Sequence, residues 1–247
     1  GTGKTAVALH RAAYLLYTHR DRYERSGVLV VGPTPVFLRY VEEVLPSLGE
    51  TGVVLTSVAE LVPGVVATTH DRGPVARVKG SRAMVEVLAR AVAARRRVPR
   101  DGVTFVVDGA RVHLSPSVIR RAGHDALRDH ETHNAARPHV LTHLLNQAAT
   151  RLARRRGFDP GDALVREDLL AELREERAVR REINLLWMPL TATRVLTDLL
   201  TRVDVLDAAS DGLLSDAERA LLLRDPHAPF TVEDVPLLDE IASLVGD

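Results

Sequence analysis

The first five residues of the chain, Gly1-Thr2-Gly3-Lys4-Thr5, are of types that hold a phosphate group. They match the second half of the phosphate-binding pattern G-x-x-x-x-G-K-[ST], whose first glycine would lie three residues before Gly1. Glycine lets the backbone approach a phosphate because it carries no Cβ. Lys4 is expected to bridge the β- and γ-phosphates of a nucleotide, and the Thr5 hydroxyl is expected to bind Mg²⁺. The segment therefore predicts a binding site for ATP and Mg²⁺ at Gly1, Thr2, Gly3, Lys4 and Thr5.

A phosphate-binding loop needs a helix directly behind it, because the first N–H groups of the helix point at the phosphates. Residues 6–17 carry apolar side chains at helical spacing and predict that helix. The short runs at 28–32 and 51–57 predict buried parallel strands, and the segment between them predicts a loop and a helix that ends near Pro46. This alternation over residues 1–66 predicts an α/β fold with parallel strands.

The hydrophobic pattern changes after residue 66 and predicts a mostly helical region with one β-hairpin. Residues 81–97 predict an amphipathic helix, and Asp108-Gly109 within 103–114 is a strong hairpin signal. Ser215 and Glu218 have the spacing of a capping box, which starts a helix. Further helices are predicted at 116–130, 135–157 and 162–182, after "LWMPLTATRV", and from a start at Thr231 to Asp234.

A second group of candidate ligands follows the first predicted strand, at Gly32-Pro33-Thr34-Pro35. Loops at the carboxyl ends of parallel strands line the ligand crevice of an α/β sheet. The hydroxyl or N–H of Thr34 could therefore contact a phosphate of a nucleic acid or a nucleotide. The sequence equally allows a Gly-Pro strand terminator that only shapes the turn. Thr56-Ser57 after the second strand presents the same choice, and there the structural role is favoured.

The charge of the chain is balanced, with 33 Lys and Arg against 33 Asp and Glu. A strongly basic nucleic-acid binder usually has an excess of positive charge, so any such role must depend on local patches. The runs Arg95–Arg97 and Arg154–Arg156 could meet phosphates or an acidic protein surface. The favoured interpretation is that they complement the dipoles at helix C-termini and cap carbonyl groups.

The composition also bounds the compartment and the metal chemistry. Cysteine is absent, which excludes disulfides and thiolate metal sites and suits a reducing cytoplasm. No apolar run reaches the roughly 20 residues that a membrane span needs, so no membrane partner is expected. A cytoplasmic location is therefore predicted.

Histidines cluster between residues 124 and 143, and pairs at helical spacing near Asp129 and Glu131 could bind a metal. Because cysteine and an H-E-x-x-H motif are absent, solvated histidines on helices are the favoured interpretation. Trp187 and Met188 are expected in the core rather than in a platform for stacking bases. The histidines are His124, His130, His133, His139 and His143.

The segments "GTGKTAVALHRAAYLLYTHR", "GVLVVGPTPVFLRYVEEVLPSLGE" and "VPLLDEIASL" resemble superfamily 1 helicase ATPases of the UvrD/Rep-like type. The resemblance is closest to the HelD-type branch, the actinobacterial motors that recycle RNA polymerase. It is specific over residues 1–64 and weaker over 65–230, where the order of segments and "LLWMPLT" carry it.

This resemblance implies a partial RecA-like domain with the phosphate-binding loop as motif I. The residues from Gly32 are then motif Ia, which implies nucleic-acid binding by Pro33, Thr34 and Pro35. Residues 1–66 would be the first part of the RecA-like domain, and residues 67–200 a mostly helical insertion that contains the hairpin. Residues 201–247 would be a helical return to that domain, ending before the Walker B strand.

The stretch "PLLDE" at 236–240 has the residue types of a Walker B motif, but its pattern predicts a helix. Pro236 interrupts the short apolar run, and the apolar positions continue to Val245 at helical spacing. Ala242 stands where the D-E-x-Q motif of the superfamily needs a glutamine. The catalytic carboxylates, the arginine finger and the second RecA-like domain are therefore expected beyond Asp247, and no catalytic residue is assigned in this chain.

Together these inferences predict part of an ATP-dependent DNA helicase-like motor. The full-length parent would hydrolyse ATP to translocate on nucleic acid or to displace it from RNA polymerase, and the fragment alone is expected to be inactive. Single-stranded DNA, core RNA polymerase or both are the expected partners. The alternative is a nucleotide-gated protein-interaction module without helicase activity. A P-loop kinase is disfavoured because neither a lid nor an acceptor site is visible.

Overall fold

The structure of the chain, a computed structural model, describes residues 3–19, 28–32, 35–44 and 53–246. In these residues the chain is mixed α/β and mostly helical, with one pair of parallel strands and one antiparallel hairpin. It divides into a first unit, Gly1–Gly73 with Ala228–Pro236, and a second unit, Pro74–His227 with Leu237–Asp247.

The first unit contains alternating helices and strands. Its elements are α1 (Lys4–Thr18), β1 (Val28–Gly32), α2 (Pro35–Val44), β2 (Val53–Ser57) and a 3-10 turn (Val58–Glu60). β1 and β2 are parallel neighbours, paired from Val28 with Val53 to Gly32 with Ser57. The predicted order of helix, strand, helix and strand is therefore confirmed for the described residues.

In the described part of the chain the two strands are covered on one face, and the side chains on the other face are exposed, which the prediction of buried strands did not give. Leu9 of α1 and Val41 of α2 pack with Val53 and Leu55 of β2. Successive side chains of a strand point to opposite faces, so covering one face leaves every second residue in solvent. The exposed fractions on that face are 55% for Leu29, 47% for Val31 and 61% for Val54.

Two distant segments of the first unit are joined at Thr69 and Thr231, which form a parallel bridge. The Glu233 carboxylate accepts a hydrogen bond of 2.8 Å from the backbone N–H of Asp71. Thr231 and Asp234 form a capping box on a short 3-10 turn, which leads into the last helix. The helix start predicted at these residues is confirmed.

The second unit contains the hairpin and most of the helices. The remaining elements are α3 (Gly73–Lys79), α4 (Ala83–Ala93), β3 (Val103–Val107), β4 (Ala110–Leu114), α5 (Pro116–Asp129), α6 (His133–Arg156), α7 (Ala163–Glu175), α8 (Arg177–Leu186), α9 (Ala192–Thr201), α10 (Val203–Ser210), α11 (Asp216–Leu222) and α12 (Val235–Val245). The capping box predicted at Ser215 and Glu218 is confirmed at the start of α11.

The hairpin turns at Asp108-Gly109, as predicted. Both residues have positive φ, 46° and 76°, which is the backbone of a type I′ turn. One face of the hairpin, including Phe105, Val112 and Leu114, is buried against the apolar faces of α6 and α8. The hairpin is therefore anchored by its buried face, and the alternate side chains on its other face are exposed.

Two predicted helices have different bounds in the structure. The helix predicted over 81–97 ends at Ala93, since the following residues are held by other contacts: the N–H of Arg97 donates to the carbonyl of Leu186 at 3.0 Å. The helix predicted over 162–182 is two helices. Glu176 separates them, and its carboxylate accepts from the N–H of Ala178 to cap α8.

The segment "PLLDE" lies within α12, which confirms the prediction that it is helical and not a Walker B strand. Leu237, Leu238 and Ile241 are buried on one side of this helix, whereas Asp239 is exposed. None of the described helices is both long enough and apolar enough to cross a membrane.

Candidate nucleotide-binding site

Gly3 occupies the position before α1 and has a left-handed backbone conformation, with φ 66° and ψ 0°. A Cβ built at this position would meet no atom within 4 Å, so the requirement for glycine is one of backbone conformation and not of space. Other residues pay about 1–2 kcal/mol for this conformation. The sequence thus places its second glycine where the loop turns sharply into the helix.

The N-terminus of α1 is chemically suited to an anion. No described side chain caps it, and no acidic residue lies in its first turn. The first N–H groups of a helix carry partial positive charge and have no partner within the helix. Lys4, the first residue of α1, is exposed and forms no ion pair with a described residue. An uncapped helix start with an unpaired lysine is an arrangement that a phosphate group fits.

Several predicted ligands lie outside the described residues. These are Gly1 and Thr2 of the phosphate-binding loop and Pro33 and Thr34 of the second loop. Thr5 lies in the first turn of α1 and Pro35 is the first residue of α2, but only their backbone is described. The Mg²⁺ ligand and the nucleic-acid contacts therefore stay predictions.

The structure gives structural roles to the residues that end β1 and β2. A Cβ at Gly32 would lie 2.5 Å from Leu38, so glycine is needed for α2 to approach the end of β1. Ser57 is buried, and its hydroxyl donates to Glu60 at 2.8 Å in a capping box. Thr56-Ser57 thus has the structural role that the sequence favours.

The first basic run is engaged within the second unit. Arg95 pairs with Asp198 at 2.9 Å, and Asp198 is buried. The guanidinium of Arg96 lies 5.4 Å from the ring centre of Trp187, a cation–π geometry, and burial lowers the pKa of Arg96. Arg95 and Arg96 therefore stabilise packing, whereas the side chain of Arg97 is exposed.

The second basic run is engaged only in part. Arg156 makes two hydrogen bonds of 2.6 Å to the Glu172 carboxylate. Arg154 and Arg155 have no carboxylate of the described residues within ion-pair distance, and both are exposed. The helix-end interpretation is consistent with the position of the run in the last turn of α6.

No group of three or more possible metal ligands occurs in the described residues. The favoured alternative, solvated histidines, is wrong for His133, which is fully buried. Its Nε2 lies 2.8 Å from the carbonyl oxygen of Met188, to which it donates, and its ring stacks on Trp187. Trp187 Nε1 donates in turn to the carbonyl of His133 at 2.9 Å.

Trp187 is in the core as predicted, whereas the same prediction for Met188 is wrong. Half of the Met188 side chain is exposed, because this residue contributes its carbonyl oxygen to His133 and turns its side chain outward. Burial lowers the pKa of His133, and the nearby positive charges of Arg96 and Arg137 also lower it. The hydrogen bond to Met188 raises the pKa and offsets part of this decrease.

One group of basic residues brought together by the fold was not recognised in the sequence. Arg111 and His113 of β4 line one cavity with Arg151, Arg154 and Arg155 of α6. The sequence signal for this group was the position of Arg111 and His113, two residues apart and therefore on the same face of a strand of the predicted hairpin. Their pairing with a helix some 40 residues later is a tertiary contact that periodicity does not reveal.

Comparison of the chain with protein-family models gives no match, and comparison with curated proteins gives none either.

Proposed function

We propose that this chain carries the nucleotide-binding part of an ATP-driven motor of the UvrD/Rep-like helicase superfamily, with the HelD-type branch as the best fit. The observation that supports this most strongly is the start of α1. A left-handed Gly3, an unpaired Lys4 and an uncapped helix N-terminus coincide there, and a parallel strand pair follows. Phosphate-binding loops of RecA-like domains have this order of elements.

The proposed chemistry divides the work between backbone and side chains. Backbone N–H groups at the start of α1 bind the phosphate oxygens, and Lys4 neutralises charge on the β- and γ-phosphates. Mg²⁺ bound beside Thr5 would screen the remaining phosphate charge. The motor then uses ATP to move on single-stranded DNA or to displace nucleic acid from core RNA polymerase, in the cytoplasm.

The experiment is nucleotide binding and steady-state ATPase in the full-length protein that contains this chain. Lys4→Ala is compared with Arg11→Ala, which removes one exposed positive charge from the same helix. Loss of a charge-assisted phosphate contact weakens ATP binding by about 10- to 100-fold. Arg11→Ala is expected to bind ATP normally. Equal binding by both variants contradicts the proposed nucleotide site.

Added partners then separate the candidate outputs of the motor. ATPase stimulation by single-stranded DNA alone supports a translocating helicase. Binding to core RNA polymerase with little stimulation by DNA supports the HelD-type role. The alternative function, a nucleotide-gated interaction module, requires ATP-dependent partner binding without hydrolysis.

A further inference from the structure

A cavity of about 320 Å³ in the second unit is lined by basic side chains alone: Arg111, His113, Arg151, Arg154 and Arg155. β4 and α6, which carry these residues, pack directly against each other. The cavity lies in the second unit, whereas α1 lies in the first.

Periodicity explains why the five side chains face the same space. Arg111 and His113 are two residues apart on a strand and so share a face, which is exposed, while Val112 and Leu114 are buried beneath them. Arg151, Arg154 and Arg155 have the spacing i, i+3 and i+4, which places them on one side of α6. Leu152 and Ala153 between them are buried. Both walls are thus fixed by core packing.

The positive charges of this cavity are not matched by acidic groups. No carboxylate of the described residues lies within ion-pair distance of Arg111, Arg154 or Arg155. The guanidinium of Arg151 donates to two neutral oxygens of Gln147, at 2.9 and 2.8 Å. The neighbouring Arg156, by contrast, is paired with Glu172.

The grouping therefore carries an electrostatic cost that a bound anion would reduce. Burial lowers the pKa of Arg151, and the positive charge of Arg154 lowers it further. The dipole of α6 offsets part of this repulsion at its last turn. That effect does not reach Arg111 on the neighbouring strand, so the helix end alone does not account for the cluster.

We propose that this cavity binds the phosphate backbone of a single nucleic-acid strand. Arginine is the side chain best suited to phosphate oxygens because its planar guanidinium forms two parallel hydrogen bonds. His113 Nδ1 lies 2.9 Å from the Thr104 hydroxyl, which orients the ring at the edge of the cavity.

The dimensions of the cluster favour a phosphate chain over a single carboxylate. The two positions on β4 are about 6.8 Å apart along the strand, and one turn of α6 spans about 5.4 Å. In duplex DNA each strand carries one charge per roughly 3.4 Å of helix axis, and neighbouring phosphates lie farther apart than this axial rise. The span of the cluster therefore accommodates about two neighbouring phosphates. The lining has no Phe, Tyr or Trp on which a base could stack, so binding would be independent of sequence.

The test measures binding of fluorescein-labelled oligo(dT) of about 20 nucleotides by fluorescence anisotropy, in nucleotide-free buffer. The test variant Arg111→Gln/Arg155→Gln removes one charge from each wall of the cavity. The control Arg177→Gln/Arg181→Gln removes the same charge from two exposed residues of α8 outside the cavity. Thermal melts followed by circular dichroism check that both variants fold.

The test variant is expected to bind oligo(dT) about tenfold or more weakly than the control variant at equal salt. Its slope of log K against log salt is expected to be shallower by about 1.4, because two phosphate contacts are lost from a single strand. Equal affinities and equal slopes in the two double variants would overturn the proposal.

Two competitors of oligo(dT) binding test whether the cavity prefers another class of anion. If a poly-glutamate peptide of matched charge displaces oligo(dT) as well as unlabelled oligo(dT) does, the cavity recognises an acidic protein surface and the proposal is wrong. If inorganic tripolyphosphate displaces it equally at matched charge, the ligand is a free polyphosphate and the nucleic-acid assignment is wrong. Displacement by unlabelled oligo(dT) alone supports the proposal.

Discussion

Gly3 is the residue on which the shape of the candidate nucleotide site depends most. Its left-handed conformation turns the chain into α1, and the space around it is open. The same description applies to Gly64, which has φ 76° and no neighbour within 4 Å of a built Cβ. Among the described residues of the first unit, Gly3 and Gly64 therefore share the same local constraint, and Gly3 adjoins the candidate site.

Gly3→Ala is expected to weaken ATP binding, because the loop would relax out of the left-handed conformation and misdirect the first N–H groups of α1. The backbone strain in either variant is about 1–2 kcal/mol. Gly64→Ala is expected to lose a similar amount of stability and to bind ATP unchanged. ATP affinity is measured by nucleotide titration and stability by chemical denaturation, for both variants. Equal loss of ATP affinity in the two variants contradicts the role given to Gly3.

At the scale of elements, the last turn of α6 shows that neighbouring arginines have different roles. Arg156 joins α6 to α7 through two hydrogen bonds to Glu172, which lower the pKa of that carboxyl. Arg155 forms no such pair and faces the basic cavity. One residue of the run thus stabilises helix packing, whereas its neighbour is available to a ligand.

Arg156→Gln is expected to reduce the free energy of unfolding by about 1 kcal/mol, which is the upper end of the range for exposed ion pairs. The upper end is expected because the guanidinium binds both carboxylate oxygens and because solvent screens the ion pair only in part. Arg155→Gln, one residue away, is expected to leave the free energy of unfolding unchanged or to raise it slightly, because it removes one of several neighbouring positive charges. A double-mutant cycle of Arg156→Gln and Glu172→Gln, followed by urea denaturation, measures the interaction free energy of the two side chains. Additive effects of Arg156→Gln and Glu172→Gln would show that the pair contributes nothing.

Elements with strong local signals could be predicted from the sequence, and contacts between distant residues could not. The Val-rich runs give β1 and β2, and Asp108-Gly109 gives the hairpin turn. The break at Glu176 was missed because the helical pattern continues across it and glutamate is a weak signal for a helix start.

The candidate site shows the same limit. The phosphate-binding segment was visible because its glycines and lysine are consecutive, whereas the basic cavity joins residues of β4 and α6 that lie about 40 positions apart. The burial of His133 depends on Trp187, 54 residues away, and no local pattern predicts that contact. The insertion boundaries at 67 and 200, the helicase class and its partners stay predictions.

At the scale of the whole molecule, a net charge of zero conceals an uneven distribution of titratable groups. The second unit holds a cavity lined by basic residues and a fully buried histidine, His133. The Nδ1 of His133 is buried and has no hydrogen-bond partner in the described part of the chain. Protonation of His133 would therefore create a buried N–H without a hydrogen-bond partner among the described residues. It would also place a positive charge near Arg96 and Arg137, and both effects disfavour the charged form.

This burial predicts that the second unit loses stability as the pH falls below about 6.5, the ordinary pKa of histidine. The folded state lowers the pKa of His133, so the unfolded state binds more protons in this range. Stability is then fully present above the unfolded pKa and decreases as the pH falls toward the folded value. Glu172 contributes only at lower pH, because its folded pKa lies below its ordinary value of 4.5.

The measurement is urea denaturation at pH 7.5, 6.5 and 5.5, followed by the fluorescence of Trp187, the single tryptophan, which lies against His133. His133→Phe keeps an aromatic ring against Trp187 but cannot take up a proton. It is expected to be less stable at pH 7.5, because the carbonyl of Met188 loses its donor, and to show a flatter pH dependence. His124→Gln, at an exposed histidine, is expected to keep the natural slope. If His133→Phe keeps that slope as well, the pH dependence does not come from the buried ring.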